Sequence, residues 1–176
     1  MMHIYHTVIT LSCLISISGC CQQATPAPTR HFEPSANFSY LPPAGWTIKD
    51  TDPPNTGIVV SEPVDGFSAN VLFTFEARQI FPITLPNYVK LLRDSFKTMF
   101  PDLTVIKDDR FQTKSGLQGF VHVIQRKEDG VAIQQTFYFL ENGPAKLIVG
   151  CTSRTIEADK FSPMFEELLE SLRFEK

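Results

Sequence analysis

The sequence predicts an α+β fold in which a mainly antiparallel sheet is covered by at least two helices. Short apolar segments alternate with tight turns such as Asp129-Gly130 and Asn142-Gly143. Turns of this length join antiparallel neighbours, because a parallel crossover needs a dozen or more residues. Several of the segments repeat apolar residues at period two, as strands do. Two longer segments repeat them at spacings of three and four, as amphipathic helices do.

Length, composition and charge limit the classes of protein to consider. The chain has 176 residues, of which 43% are hydrophobic. This is enough for one core of about 100 to 150 residues and too little for two. Its 16 basic and 19 acidic residues are mixed along the sequence and give a formal net charge of -3. No nucleic-acid partner is expected, because such a partner requires a basic patch or stripe.

The N-terminal segment, residues 1–19, has the pattern of a signal peptide. The first 29 residues contain no Lys, Arg, Asp or Glu, and the stretch from Thr7 to Ile17 is apolar except for Thr and Ser. This stretch is shorter than the ~20 residues that a membrane-spanning helix needs. We therefore predict a leader that is removed by a peptidase rather than a transmembrane anchor.

The leader ends in Ile17-Ser18-Gly19-Cys20, which resembles the lipobox of bacterial lipoproteins. Small side chains let the backbone enter the peptidase site, and only a thiol can carry a thioether-linked diacylglycerol. The resemblance implies that Cys20 becomes the mature N-terminus and receives two or three acyl chains, which together attach it firmly to a membrane. The alternative is an ordinary secretory leader, in which Cys13, Cys20 and Cys21 are only small apolar residues.

The same resemblance implies a location in the cell envelope. In a host with two membranes, the residue after the lipidated cysteine influences sorting. Cys21 is not the aspartate associated with the inner membrane, so the outer membrane is favoured.

The chain from 20 to 37 is rich in Pro, Ala, Thr and Gln and lacks hydrophobic periodicity. It predicts a flexible tether that leads to a globular domain at residues 38–176.

Turn-bounded apolar segments predict seven strands in this domain. In the third of them Val71, Phe73 and Phe75 fall on one face at period two, so that face should lie in the core. The last four are separated by tight turns and predict a meander. The predicted strands are Trp46–Lys49, Ile58–Ser61, Asn70–Glu76, Thr104–Gln112, Gln118–Lys127, Val131–Leu140 and Lys146–Thr152.

Two amphipathic segments, Leu85–Phe100 and Ser162–Leu172, predict helices that cover the sheet. The first follows Thr84 as an N-cap, has Pro86 in its first turn and ends before Pro101, which are ordinary start and stop signals. Its expected apolar stripe is Leu85, Val89, Leu92, Phe96 and Met99. The apolar stripe of the second helix is Phe165, Leu168, Leu169 and Leu172, and its solvent-exposed face carries Glu166, Glu167 and Glu170.

Three segments in this order resemble the PsbP-like fold family and, within it, the DcrB-like bacterial lipoproteins. They are Tyr40-Leu41-Pro42-Pro43-Ala44-Gly45-Trp46, Ala69-Asn70-Val71, and Phe165-Glu166-Glu167-Leu168-Leu169-Glu170-Ser171-Leu172-Arg173-Phe174. The resemblance implies an α/β/α sandwich and a family whose better-known members are accessory subunits docked on larger assemblies. It brings no catalytic residues with it, and it does not choose a partner, because a fold hosts many functions.

His122 and Cys151 are the one histidine and the one cysteine within the predicted domain. They could form a nucleophile and its base if the fold brought them together. The stronger interpretation is that both are strand residues, because buried cysteines are usually inert. A disulfide between Cys21 and Cys151 is a further alternative, although a cysteine on a tether is a poor geometric partner.

The sequence also contains few signals for a metal, cofactor or partner binding site. The sequence has no HExxH, CxxC, calcium-loop, glycine-rich phosphate or GxSxG pattern, so we expect no cofactor and no metal. Asp108-Asp109 is interpreted as a solvated pair, because adjacent strand residues point to opposite faces.

Tyr40 and Trp46 could form an aromatic docking patch. The favoured alternative is that this segment packs over the sheet edge.

We therefore predict a membrane-anchored envelope lipoprotein that acts as a non-enzymatic accessory or binding module with an envelope protein as its partner. Two other hypotheses stay open. One is an envelope enzyme that uses His122 and Cys151, and the other is a structural protein that maintains the integrity of the envelope.

Overall fold

The computed structural model describes residues 29–76 and 83–175. The signal peptide, Cys20 and the first half of the predicted tether lie outside this range. The described part contains two helices, a short 3-10 turn and ten strands. The strands are β1 (His31–Glu33), β2 (Phe38–Tyr40), β3 (Thr47–Lys49), β4 (Asn55–Val60), β5 (Asn70–Glu76), β6 (Thr104–Gln112), β7 (Gln118–Glu128), β8 (Val131–Asn142), β9 (Ala145–Arg154) and β10 (Arg173–Phe174). The helices are α1 (Leu85–Met99) and α2 (Ala158–Ser171), and the 3-10 turn is Thr155–Glu157.

Seven strands form one antiparallel sheet in the order β3-β4-β5-β9-β8-β7-β6. The consecutive pairs β6–β7, β7–β8 and β8–β9 are the predicted meander. Its turns place Gly130 and Gly143 at positive φ values of 83° and 59°, a region that glycine enters without steric cost. The mixed α+β class is therefore confirmed, and so are all seven predicted strands, each with bounds within a few residues.

Buried apolar side chains form two clusters, and neighbouring residues of the same strand belong to different ones. Tyr138 and Leu140 of β8 lie in the main cluster with α2, whereas Phe139 between them lies in the smaller cluster with α1. Alternation of this kind is what a strand requires when both of its faces are covered. The predicted core face of β5 is confirmed, since Val71 and Phe73 are fully buried and Phe75 packs against the main cluster.

α1 begins after Thr84, with Pro86 in its first turn, and ends one residue before the predicted Phe100. Its burial is concentrated at the start of the helix, at Leu85, Tyr88 and Val89. The prediction that Met99 continues the apolar stripe is wrong, because this side chain is 58% exposed. It lies in the last turn, beyond the residues that pack against the smaller cluster.

α2 starts four residues before the predicted Ser162. Pro163 lies inside the helix, which has no strong N-cap side chain to mark its first residue. Pro163 is the sixth residue of the helix, so its missing N–H removes the hydrogen bond that the carbonyl four residues earlier, at Asp159, would otherwise accept. Phe161, Phe165 and Leu168 are buried in the main cluster as the amphipathic pattern requires.

A second, three-stranded sheet in the order β1-β2-β10 was not predicted. β1 lies within residues 20–37, so the fold begins before the predicted boundary at residue 38. Arg30 fixes this end, since its Nη1 donates to Ser39 Oγ at 3.1 Å and to the Ser171 carbonyl at 2.9 Å. Strands of two or three residues carry no detectable periodicity, and β2 pairs with β10 across more than 130 positions of the chain.

Candidate functional site

The predicted lipid-attachment site lies outside the described residues, so Cys20 and its lipobox stay a prediction. Within residues 29–76 and 83–175, neither helix is long and apolar enough to cross a bilayer. The same residues contain no group of three or more His, Cys, Asp and Glu side chains placed to hold a metal ion.

The two aromatic residues of the predicted docking patch pack inside the fold. Tyr40 has no exposed surface, and its ring centroid lies 4.5 Å from that of Phe73. Burial, with a contribution from the charge of Glu33, raises the pKa of the Tyr40 hydroxyl. Tyr40 is therefore unavailable to a partner, which corrects that hypothesis. Trp46 is partly buried and makes an edge contact with Phe165 of α2, so the packing interpretation describes this segment.

His122 and Cys151 do not form a dyad. His122 lies on β7 and Cys151 on β9, with β8 between them. Cys151 is 1% exposed in the main cluster, and burial raises the pKa of its thiol, which therefore stays protonated. His122 instead stacks on Phe96 of α1, with ring centroids 6.3 Å apart. The enzyme hypothesis loses its proposed residues because they occupy opposite faces of the sheet.

His122 does have charged neighbours, which the sequence does not reveal. Its Nδ1 lies 3.5 Å from Asp108 Oδ1, longer than a well-formed hydrogen bond, and Asp108 forms an ion pair with Arg93 of α1. Burial is the main cause that lowers the pKa of His122, with the charges of Arg93 and Lys97 acting in the same direction and Asp108 opposing them. With 2% exposure, His122 is a neutral buried residue that substrate cannot reach.

A groove of about 630 Å³ opens between α2 and the strands β6, β7 and β8. Val121, Val123 and Tyr138 form its apolar floor, and Phe111 and Leu169 line its sides. The Tyr138 ring meets Phe111 edge-on at 5.4 Å. Apolar and aromatic surface with a few polar groups at this scale is typical of a binding site.

Tyr138 is the polar group at the centre of this groove. The residue is only 6% exposed, and its hydroxyl makes no hydrogen bond with any residue in the described ranges. Burial, with contributions from Cys151 and Glu166, raises the pKa of this hydroxyl. It therefore stays a neutral donor at physiological pH.

Opposite charges line the two sides of the groove. Glu166, Glu167 and Glu170 lie along α2, and Lys107 and Lys114 lie on β6 and the turn after it. The Lys114 backbone N–H donates to Glu170 Oε2 at 2.8 Å and closes one end. Among the described residues, Glu166, Glu167 and the two lysine ammonium groups form no ion pair, so four charges are available on the rim.

A second, larger depression of about 860 Å³ lies beside the start of α1 and the β6–β7 turn. Leu85, Pro86 and Phe120 provide its apolar surface, and Arg110 stacks over the Phe120 ring at 5.4 Å. One side of this depression adjoins the chain before α1, where residues 77–82 lie outside the described ranges. The groove beside α2 is bounded by described residues and is the better-defined candidate.

Sequence comparisons find no match, whereas structural comparison finds solved structures with a similar fold. No family model matches the chain. No curated protein matches its sequence. The fold is similar to the solution structure of the cyanobacterial PsbP protein CyanoP from Synechocystis, with a TM-score of 0.65 and 10% identity over 90% of this chain and 98% of that one.

Two further solved structures share the architecture. LpqN of Mycobacterium tuberculosis, described as involved in cell envelope biogenesis, has a TM-score of 0.65 and 9% identity over 84% of this chain and 90% of that one. PA94 of Pseudomonas aeruginosa has a TM-score of 0.58 and 16% identity over 82% and 94%. At these identities the likeness shows the fold. The chain therefore has the PsbP-like fold, and the narrower DcrB-like assignment stays a prediction.

Proposed function

We propose that this chain is a non-enzymatic accessory or binding module of the cell envelope, attached to a membrane by lipid on Cys20. The observation that carries the proposal is the PsbP-like fold over nearly the whole described chain, because it is shared with an envelope-biogenesis protein. The leader and the lipobox-like Ile17-Ser18-Gly19-Cys20 support the anchor. Cys21 favours the outer membrane in a host that has two.

The architecture that we propose for this module is an α/β/α sandwich of DcrB-like type. Its support is the division of buried residues between two clusters, one with α1 and one with α2. Phe137 and Phe139 of β8 pack towards the α1 cluster, and Tyr138 packs towards α2. Helices on both faces of the sheet explain why β8 is buried along consecutive residues.

Binding fits the available surface better than catalysis does. The strongest catalytic candidates, His122 and Cys151, are buried and separated by a strand. The α2 groove instead has the partly exposed ring of Phe111 above the buried side chains of Val121, Val123 and Tyr138, with free charges on its rim. A polar rim around an apolar centre is the usual organisation of a protein interface.

Photo-crosslinking in intact host cells tests this function. Benzoylphenylalanine is placed in the tagged full-length chain at one position per variant: Glu62, Lys107, Val131 or Ile156. We expect one discrete envelope protein to be captured from positions on one face and not from the others. If every position yields only the random background of a secreted, unrelated control protein, the accessory-module proposal fails.

A second experiment separates binding from catalysis. The double variant His122→Phe and Cys151→Ala removes both candidate catalytic groups and keeps apolar side chains in the two clusters. We expect the cells to grow like the parent strain, with the variant at normal abundance. A strain that resembles the deletion mutant despite normal abundance of the variant would favour the enzyme hypothesis.

A further inference from the structure

We propose that one face of the small sheet lies against the bilayer, with Phe32 among the lipid headgroups and Arg30 and Arg173 beside anionic phospholipids. These three residues are called the Phe32 face below. The inference rests on the proposed lipid anchor at Cys20 and deepens it, because it assigns the side of the domain that meets the membrane. It follows from the register of the small sheet, from the exposure and charge of its residues, and from the place where the chain enters the domain.

The register of the small sheet separates a core face from an outward face. Ser39 in the middle strand β2 pairs with Phe32 of β1 and with Arg173 of β10, so these three side chains share one face. The neighbouring residues Phe38 and Tyr40 point to the opposite face and are fully buried in the main cluster. Phe32 and Arg173 therefore lie on the outward face of the sheet.

Phe32 is exposed close to the point where the tether joins the domain. It is 49% exposed, and it is the only aromatic residue among the large exposed hydrophobic residues of the described ranges. A single exposed hydrophobic residue is ordinary in itself. Phe32 differs from the others by its place, because it follows Arg30 by two residues at the end of the domain that leads back to Cys20. Aromatic side chains at such a place bury favourably in the interfacial layer of a bilayer.

The tether keeps this face within reach of the membrane. Cys20 precedes Arg30 by ten residues, and a chain of that length spans at most about 36 Å. Arg30 is fixed to the domain by its hydrogen bonds to Ser39 and to the Ser171 carbonyl. Docking of an anchored domain is an intramolecular step with a high effective concentration, so a small contact such as the Phe32 face can hold the domain against the surface.

Two guanidinium groups beside Phe32 favour anionic lipids. Arg30 and Arg173 are both exposed, and their hydrogen bonds within the described chain go to neutral acceptors, which are the Ser39 hydroxyl and backbone carbonyls. Glu175, which accepts a hydrogen bond from Ser39, offsets one of the two positive charges. The net charge of this group of residues is positive, and a positive surface is attracted to anionic headgroups.

Tryptophan reporters measure which side of the domain meets the membrane. Trp46 is the only tryptophan of the chain, so Trp46→Phe provides a background without one. Phe32→Trp places a reporter on the Phe32 face. Ile156→Trp is the matched control, because Ile156 is 86% exposed and lies in the 3-10 turn before α2, at the opposite end of that helix from Ser171.

The acylated chain, purified from a bacterial host, is reconstituted into vesicles of phosphatidylcholine and phosphatidylglycerol. The acyl chains of these lipids are brominated in one sample and unbrominated in the other, since bromine quenches tryptophan on contact. We expect the reporter at position 32 to lose fluorescence in brominated vesicles and to emit at a shorter wavelength, and the reporter at position 156 to do neither. Thermal unfolding verifies the fold; if Trp46→Phe does not fold, the reporters are placed in the parent and its own quenching is subtracted.

Charge variants test the choice of anionic lipid. Arg173→Gln and its matched control Lys127→Gln each remove one exposed positive charge, the first from the Phe32 face and the second from the far end of β7. Arg173→Gln should shift the ratio of docked to undocked domains about fivefold towards undocked, the equivalent of ~1 kcal/mol per cation near an anionic surface. Weaker quenching at position 32 reports this shift. Lys127→Gln should leave the quenching unchanged, and Arg173→Gln should have no effect on vesicles of phosphatidylcholine alone.

Three outcomes with an acylated chain overturn the inference and leave the proposed anchor in place. They are equal quenching of the two reporters, no quenching at position 32, and quenching at position 32 that Arg173→Gln leaves unchanged. A chain without acyl groups would instead contradict the proposed anchor. The same reporters are then measured on that chain mixed with the same vesicles, where quenching at position 32 alone supports the Phe32 face and any other pattern overturns it.

Discussion

His122 is a buried neutral histidine whose neighbours make the fold sensitive to acid. It stacks on Phe96, faces Asp108, and lies within the field of Arg93 and Lys97. Because its pKa is lowered in the folded state, the unfolded chain takes up a proton more readily as the pH falls. The stabilisation is thus complete above the unfolded pKa of about 6.5 and is lost as the pH decreases towards the folded value.

Replacing His122 by Phe should reduce this acid sensitivity. The substitution keeps a ring against Phe96 and removes the titrating group. We expect the melting temperature of the parent to fall more between pH 7.5 and pH 5 than that of the variant. Thermal unfolding followed by circular dichroism measures both curves, with His31→Phe as a control for the half-exposed histidine of β1. Parallel curves for parent and His122→Phe would contradict the assignment.

The tertiary contacts of single residues explain why the candidate functional site is hard to predict from the sequence. The sequence shows that Tyr40 and Trp46 are aromatic, but only the tertiary fold shows that they pack against Phe73 and α2. Tyr138 has an ordinary alternating position in β8, and nothing local distinguishes it from other core residues. Its place in the groove depends on how α2 packs beside β6 and β8, which are distant segments of the chain.

At the scale of elements, one ion pair connects α1 to the edge of the sheet. Arg93 leaves the polar side of the helix and reaches Asp108 on β6, with its guanidinium also 5.8 Å from the Phe120 ring. The sequence analysis interprets Asp108 as a solvated residue. Helical spacing shows which side of α1 is apolar. It does not show which strand lies beside the side of the helix that carries Arg93.

A double-mutant cycle measures this connection. Arg93→Met keeps the aliphatic packing over Phe120, and Asp108→Asn keeps a polar side chain of the same shape. We expect each single variant to lose about 1 kcal/mol and the coupling to be about 0.5–1 kcal/mol, because Asp108 is partly solvated. Urea unfolding at pH 7.5 gives the four free energies. Additive losses would show that the ion pair contributes nothing.

β6 is an edge strand that is protected against pairing with another chain. The Asp109 carboxylate accepts a hydrogen bond from the Arg110 backbone N–H at 2.7 Å, and the register shifts between Val105 and Lys107. Charges and bulges are ordinary means of blocking an exposed edge. They are needed here because Ile106 next to the bulge is half exposed.

Replacing Asp109 by Val should therefore promote self-association. The change removes a charge and the acceptor that occupies a backbone donor, and it adds a residue that favours strands. We expect the variant to form larger species at concentrations where the parent and the nearby loop variant Asp102→Val do not. Light scattering during size-exclusion chromatography would detect them. An unchanged elution and mass for Asp109→Val would show that Asp109 does not protect the edge.

The long elements are predictable because each carries its own periodic pattern. Asn70–Glu76 and Thr104–Gln112 have the predicted bounds, and α1 differs by one residue. The small sheet is not predictable, since β1, β2 and β10 have two or three residues each, and β10 joins β2 only where the two ends of the domain meet. The groove escapes prediction for the same reason, because helix and strand reach it from separate parts of the chain.

At the scale of the whole molecule, the two ends of the domain are held together. Arg30 contacts Ser39 and the last turn of α2, while the Glu175 backbone N–H donates to the carbonyl of Asn37 at 2.9 Å. The segment that leads back to Cys20 therefore joins the domain at the small sheet. The anchor that we propose at Cys20 would therefore lie on the side of the small sheet and leave the rest of the fold available to a partner.

We propose that lipid on Cys20 holds this domain at a membrane. The most direct measurement is incorporation of radiolabelled palmitate into the full-length chain in a bacterial host, followed by membrane fractionation, for the parent, Cys20→Ser and the matched control Cys21→Ser. We expect the parent and Cys21→Ser to be labelled and to sediment with membranes, and Cys20→Ser to do neither. A parent without label, or a Cys20→Ser variant that is labelled and fractionates like the parent, would contradict it.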